Sequence, residues 1–70
     1  MRYRVGRCRL RELRKKRGWT QEELARRTKS TKSLVSDYER GERRMMLSTA
    51  KSFAIALDCH IDDLYEWYAE

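Results

Sequence analysis

Seventy residues, 40% of them charged and with a formal net charge of +6, are enough for one small domain, residues 1–70, whose core only just outweighs chain entropy. A separate catalytic, ligand-binding or oligomerising module is not expected beside it. One histidine, His60, and two cysteines, Cys8 and Cys59, make neither a four-ligand zinc set nor a nucleophile with its base, so an enzyme, a metal site and a cofactor are all disfavoured.

In chain order, the spacing predicts a first helix over roughly Gly6 to Arg17, with Leu10 and Leu13 on its core face and Arg7, Arg9, Arg11, Arg14, Lys15 and Arg17 showing charge to solvent. Gly18 can end it, and Trp19 then staples the start of the next helix. Thr20 followed three residues later by Glu23 is a capping box, so a second helix begins at about Gln21 and turns Leu24 and Ala25 inward. Thr28-Lys29-Ser30-Thr31 breaks it, and Thr31 is placed to cap a third helix that ends near Gly41. Val35 and Tyr38 are its inward positions, Leu34 flanks them, and Lys32, Ser33, Ser36 and Asp37 face outward.

Leu47, Ala50, Phe53, Ala54 and Leu57 repeat at helical spacing and predict a buried fourth helix; Met45-Met46 offers no cap, which leaves Ser48 for that role. Ile61, Leu64, Tyr65 and Tyr68 predict the inner stripe of a fifth helix, with Asp62 and Asp63 in its first turn, where negative charge suits the helix dipole. Trp19, Phe53 and the methionines are expected in the core. Nothing alternates as strands do, and there is no proline and no internal repeat. The expected class is all-α, with five helices.

Two short helices joined by a turn make a helix-turn-helix, whose second helix can enter the major groove of DNA. Leu10-Arg11-Glu12-Leu13-Arg14, Thr20-Gln21-Glu22-Glu23-Leu24-Ala25, Glu39-Arg40-Gly41, Ala54-Ile55-Ala56-Leu57 and Ile61-Asp62-Asp63-Leu64 stand in the order and spacing of the Xre and Cro/repressor-type helix-turn-helix family of bacterial and phage transcription regulators, which the chain resembles over nearly its whole length. The resemblance implies a compact five-helix lambda-repressor-like domain with the helix-turn-helix formed by helices 2 and 3. The chain departs from the family at Lys29, where a turn glycine is usual; a left-handed lysine costs about 1 kcal/mol or more. It departs again at Met45-Met46, where proline and serine are usual.

By the same resemblance, the turn and the first half of the third helix read base edges, here Thr31, Lys32, Ser33, Ser36 and Asp37. Lys32 can donate to guanine O6 and N7, Ser33 can donate or accept, and Thr31 can offer its methyl to thymine. Asp37 can accept from cytosine N4 or pair with Arg40 or Lys32 instead. Gln21, at the start of the second helix, is implied to hold a backbone phosphate, aided by free N–H groups there; its ordinary alternative is a solvated first-turn residue. Arg40, Arg43 and Arg44 follow the reading helix and face either phosphates or solvent. Glu39 would sit badly against phosphate and is read as the structural partner of an arginine on the first or fourth helix. His60 stands where the family has a capping serine.

Residues 1 to 18 hold nine Lys or Arg against Glu12 alone, whereas residues 58 to 70 hold five acids and no Lys or Arg. A polyanion is therefore drawn to one side of the molecule. Met1-Arg2-Tyr3-Arg4-Val5 lacks the apolar stretch of a secretory signal, and no run is long enough to span a bilayer, so a cytoplasmic setting with both cysteines free is expected, Cys59 as a buried thiol. The function this implies is sequence-specific binding of double-stranded DNA, through a palindromic operator, by a small regulator. A repressor is favoured over an activator because so short a chain leaves little surface for recruiting polymerase. Members of the family commonly bind as two-fold dimers, and Trp67, off the predicted inner stripe, places a homodimer face between Cys59 and Tyr68, its alternative being to close the bottom of the core. The rival reading is an antitoxin or co-regulator that docks on a protein partner through the acidic, aromatic C-terminal segment.

Overall fold

The computed structural model describes residues 1–70. Helices α1 (Leu10–Lys16), α2 (Gln21–Thr28), α3 (Lys32–Glu39) and α4 (Leu47–Leu57) occupy the middle of the chain, and a single 3-10 turn covers Ile61–Leu64. The flanking segments β1 (Tyr3–Cys8) and β2 (Tyr65–Ala69) pair as an antiparallel two-stranded sheet. No helix is long and apolar enough to cross a membrane.

The core is formed by the residues whose helical spacing marked them out. Leu10, Leu24, Ala25, Val35, Tyr38, Ala50, Phe53, Ala54, Leu57 and Leu64 are buried together with Cys8. The Tyr38 and Phe53 rings meet edge to face at 5.7 Å, the arrangement the ring quadrupoles favour. Trp19 packs on this cluster from its margin, with the guanidinium of Arg27 4.1 Å above its ring.

The helix ends follow local chemistry. Gly18, at φ +72, closes α1 as its N–H bonds to Lys15 O while the N–H of Trp19 reaches Arg14 O, the paired bonds of a Schellman turn. Thr20 Oγ1 accepts from the Glu23 N–H at 3.1 Å. The Glu23 carboxylate, however, turns to Arg26 and Arg27, so only half of the expected capping box forms. Thr31 caps α3 by accepting from the Leu34 N–H at 3.1 Å. Lys29 takes the left-handed conformation at φ 55; the turn keeps its shape and bears the strain a glycine would avoid.

The all-α, five-helix expectation is corrected at both ends of the chain. The predicted first helix loses Gly6 to Cys8 to β1, and the predicted fifth helix is a short 3-10 turn followed by β2. Tyr3 pairs with Ala69, Arg4 with Tyr68 and Val5 with Trp67, and the register then shifts before Cys8 meets Tyr65. Pairing across the sheet satisfies backbone groups that a frayed terminal helix would leave to water. Gly6 is fitted to this sheet, since a Cβ there would stand 2.3 Å from the Tyr68 ring.

Side-chain placement changes accordingly. Tyr68, predicted inward, is 43% exposed, with its ring over Gly6 and under the Arg4 guanidinium. Leu47, predicted buried, is 76% exposed because α4 begins there, at the protein's edge. Met46 rather than Ser48 occupies the N-cap position, and no side chain caps that end. Of the methionines only Met45 packs on the core; Met1 and Met46 are exposed. Cys59 is half-buried against the core and Cys8 is buried at its edge, both as free thiols whose pKa values burial pushes up. His60 does stand at the start of the 3-10 turn, where its N–H donates to the Asp63 carboxylate at 2.9 Å.

Candidate nucleic-acid interface

Helix α3 lies on α2 with Val35 and Tyr38 buried beneath it, which fixes the face it turns outward. Thr31, Lys32 and Ser33 are exposed at its N-terminus, and Ser36 and Asp37 are half-exposed one turn on. All five residues expected to read bases are thus brought to one surface. Their chemistry is unequal. The Thr31 hydroxyl is spent on the cap, so its methyl is what it can offer. Lys32 carries an exposed cation, and Ser33 an exposed hydroxyl next to it in the chain. Ser36 Oγ accepts from Arg40 at 2.6 Å.

In the free chain Asp37 is paired. Its carboxylate receives Arg40 Nη2 at 2.8 Å and lies 3.5 Å from Arg43 Nε. Neither partner is Lys32. Arg40 is folded back along α3, bonded to Ser36, Asp37 and Glu42 together. The Arg40 side chain therefore organises the end of the helix, whereas Arg43 is held by one long contact and Arg44 is exposed without an acidic partner.

Beneath this surface sits a buried ion pair. Arg14 Nε donates to Glu39 Oε2 at 2.7 Å and its Nη2 to Oε1 at 3.0 Å, with side-chain exposures of 10% and 4%. Arg14 Nη1 also donates to the carbonyl of Trp19. Glu39 is thus the structural partner of an arginine on the first helix, and Arg14, expected at the solvent face, is only 8% exposed. Gln21 completes the group, its Nε2 donating to Glu39 Oε1 at 3.0 Å. Burial pushes the Glu39 pKa up, but the hydrogen bonds from Arg14 and Gln21 and the Arg14 charge outweigh it and hold the carboxyl below its ordinary value.

The Gln21 amide nitrogen is consequently committed inward. What can still meet an anion at the N-terminus of α2 is the helix end itself, where the N–H groups of Glu23 and Leu24 are taken by Thr20 and those before them have no intrahelical acceptor. Arg11, Gln21, Ser36 and Arg40 line one shallow crevice there together with the Arg14–Glu39 pair. Arg11 looked in the sequence like one more charge in a basic run; only the packing of α1 against α3 brings it to this crevice. On the other side of Arg40, a second crevice of about 190 Å³ lies between Arg7 of β1 and Arg43 and Arg44. Arg7 was assigned to a helix face in the sequence, and its arrival here depends on the strand.

Residues 10–64 match the model of the HTH_3 helix-turn-helix family. The chain belongs to that family. This HTH_3 protein is 42% identical over 67 residues to YopS, an SPbeta prophage-derived, uncharacterized HTH-type transcriptional regulator of Bacillus subtilis strain 168, a match covering 94% of this chain and 90% of that protein. Among solved structures it is similar to the restriction-modification controller protein C.AhdI of Aeromonas hydrophila, with a TM-score of 0.74 and 40% identity over 79% of this chain and 83% of that one. It is also similar to the clp gene regulator ClgR of Corynebacterium glutamicum, with a TM-score of 0.71 and 30% identity over 77% and 70% of the two chains. The expected Xre-type membership holds. The family is one of DNA-binding transcriptional regulators rather than enzymes. The family match begins after β1 and ends where β2 begins.

Proposed function

We propose that the protein is a sequence-specific regulator of transcription, a repressor acting in the cytoplasm, that binds a palindromic operator in double-stranded DNA as a homodimer and reads the major groove with α3. The observation that carries this reading is the outward row of Thr31, Lys32, Ser33, Ser36 and Asp37 on a helix whose opposite face is locked by Val35 and Tyr38. A reading helix must hold its register to within a base pair, and burial on one side supplies that rigidity.

In this reading Lys32 donates to guanine O6 and N7, Ser33 and Ser36 bond to base edges, and the Thr31 methyl lies against thymine. Asp37 reads cytosine N4 only when Arg40 releases it toward a phosphate, so the Asp37–Arg40 pair in the free protein is the state that binding exchanges. The N-terminus of α2 with Gln21 and Arg11 takes one phosphate, and Arg43 and Arg44, with Arg40, take those along the groove edge. The 1–70 domain works as a single unit, and the segment containing Trp67 supplies the homodimer face.

Base-reading and phosphate-holding residues differ in what they do to specificity. Lys32→Ala or Ser33→Ala is expected to relax preference at one or two base positions by about 1–3 kcal/mol each, while Arg43→Ala weakens all sequences alike. Titrating a preferred duplex and a scrambled one against each variant separates the two behaviours; identical losses on both duplexes for both kinds of variant would remove α3 as the reader.

A further inference from the structure

Two of the outward residues of α3 share one cation. Arg40, at the end of the helix, reaches back so that Nη1 donates to Ser36 Oγ at 2.6 Å and Nη2 to Asp37 Oδ1 at 2.8 Å. Glu42 takes most of what is left: Nε donates to its Oε2 at 2.9 Å and Nη2 to the same oxygen at 2.5 Å. Four of the guanidinium's five N–H donors are thus engaged. A bidentate bond to phosphate needs two of them, so Arg40 cannot grip DNA in that way and keep all three partners.

The position of Glu42 is set by the backbone. Gly41, at φ +77, turns the chain as α3 ends; its N–H bonds to Tyr38 O at 3.1 Å and that of Glu42 to Asp37 O at 2.9 Å, the paired bonds of a Schellman turn. Glu42 is thereby fixed one residue beyond the glycine, within reach of Arg40. The helix gains nothing from a carboxylate there, because that end of its dipole is already negative. Beside a surface that faces a polyanion, the same carboxylate also repels. Its one side-chain partner is Arg40. An anionic oxygen that takes N–H bonds from a guanidinium is also what a phosphate offers.

We propose that Glu42 is a built-in competitor for Arg40, occupying in the free chain the donors that a DNA phosphate takes in the complex. While it does so, Arg40 stays on Ser36 and Asp37 and keeps both readers engaged. Binding is then an exchange: phosphate displaces Glu42, Arg40 leaves Ser36 and Asp37, and these two residues are released to meet bases. Glu42 therefore holds the affinity for duplex DNA below what the cations alone would give. The inference deepens the reading of DNA by α3 and rests on that reading.

A double-mutant cycle on the whole chain tests it: wild type, Glu42→Gln, Arg40→Ala and the double variant are each titrated with the duplex the wild type prefers and with a scrambled one. The Arg40 and Glu42 side chains are 58% and 60% exposed, so all four chains should keep a folded melting transition. Glu42→Gln should tighten binding about three- to tenfold while Arg40 is present and less than about twofold once it is alanine, since only the first gain works through Arg40. Equal gains in the two backgrounds would show that Glu42 acts through net charge alone and would overturn the proposal. Weaker binding by Glu42→Gln would also overturn it, because Glu42 would then be holding Arg40 in its bound position. Without DNA, the Arg40 Nε–H should exchange with water faster in Glu42→Gln than in wild type; an unchanged rate removes the contact. Binding of no duplex by any of the four chains sinks the DNA reading and this role with it, whereas firm binding that Glu42→Gln leaves unaltered sinks this role alone.

Discussion

At the level of single residues, Glu39 decides whether the helix-turn-helix is rigid. Its carboxylate is nearly out of solvent and receives Arg14 through two bonds and Gln21 through a third. Removing one member of a buried pair leaves the other charge uncompensated. Glu39→Ala should therefore destabilise the fold by about 3 kcal/mol or more, and paired replacement of Arg14 and Glu39 by apolar residues of similar volume should destabilise it less. Denaturant melts of the two variants check this, equal losses being the contrary result. The pair also sets a pH dependence. A carboxyl whose folded pKa lies below its ordinary value binds fewer protons folded than unfolded, so its contribution is complete above roughly pH 4.3 and fades as the pH falls through the lowered folded value. Acid melts should show this fading for the wild-type chain, and the paired apolar variant should have lost that part of the slope.

Among the elements, the α2–α3 turn and the terminal strands bear most on the account. Lys29 holds a left-handed backbone at φ 55 without glycine's freedom, so Lys29→Gly should stabilise the protein by up to about 1 kcal/mol, seen as a raised melting temperature. Thr31→Ala removes the hydroxyl that meets the Leu34 N–H and should destabilise it by about 1 kcal/mol. If neither variant changed the melt, the caps and turn would not be what fixes α3.

The central helices were legible because their signals are local. Thr20, Gly18 and Thr31 mark ends, and Leu24, Val35, Tyr38, Phe53 and Leu57 mark one face of each helix. The termini were not, because strand pairing is settled between residues more than sixty positions apart, as with Tyr3 and Ala69. Leu10 and Leu13 mark a helix without marking where it starts, and Ile61, Leu64, Tyr65 and Tyr68 fall at helical intervals, so the C-terminal segment imitates a helix. Glu39 was assignable to an arginine partner from its poor fit beside phosphate. The placement of Arg7 and Arg11 at crevices beside α3 depends on packing, and no local pattern encodes it.

On the scale of the whole molecule, the basic first eighteen residues and the acidic last thirteen do not remain at opposite ends, because β1 pairs with β2. Arg7 forms ion pairs with Glu12 and Glu66, and Arg17 with Asp58. The folded protein thus neutralises part of its N-terminal charge internally, and Arg11, Lys32 and Arg44, beside the α3 surface, are among the cations that keep no acidic partner. Binding to duplex DNA should accordingly weaken steeply with salt, and Arg43→Ala should lower the slope of log K against log salt by about one. A slope unchanged by that substitution would place the phosphates elsewhere.

Selection of bound sequences from a random duplex pool at about physiological salt, followed by titration of the winner, tests the reading of DNA by α3 most directly. The account predicts a palindrome with half-sites about ten base pairs apart, bound by two copies of the chain, and loss of preference at particular positions with Lys32→Ala. Absence of any enriched sequence, with only salt-sensitive attachment to every duplex, would contradict it.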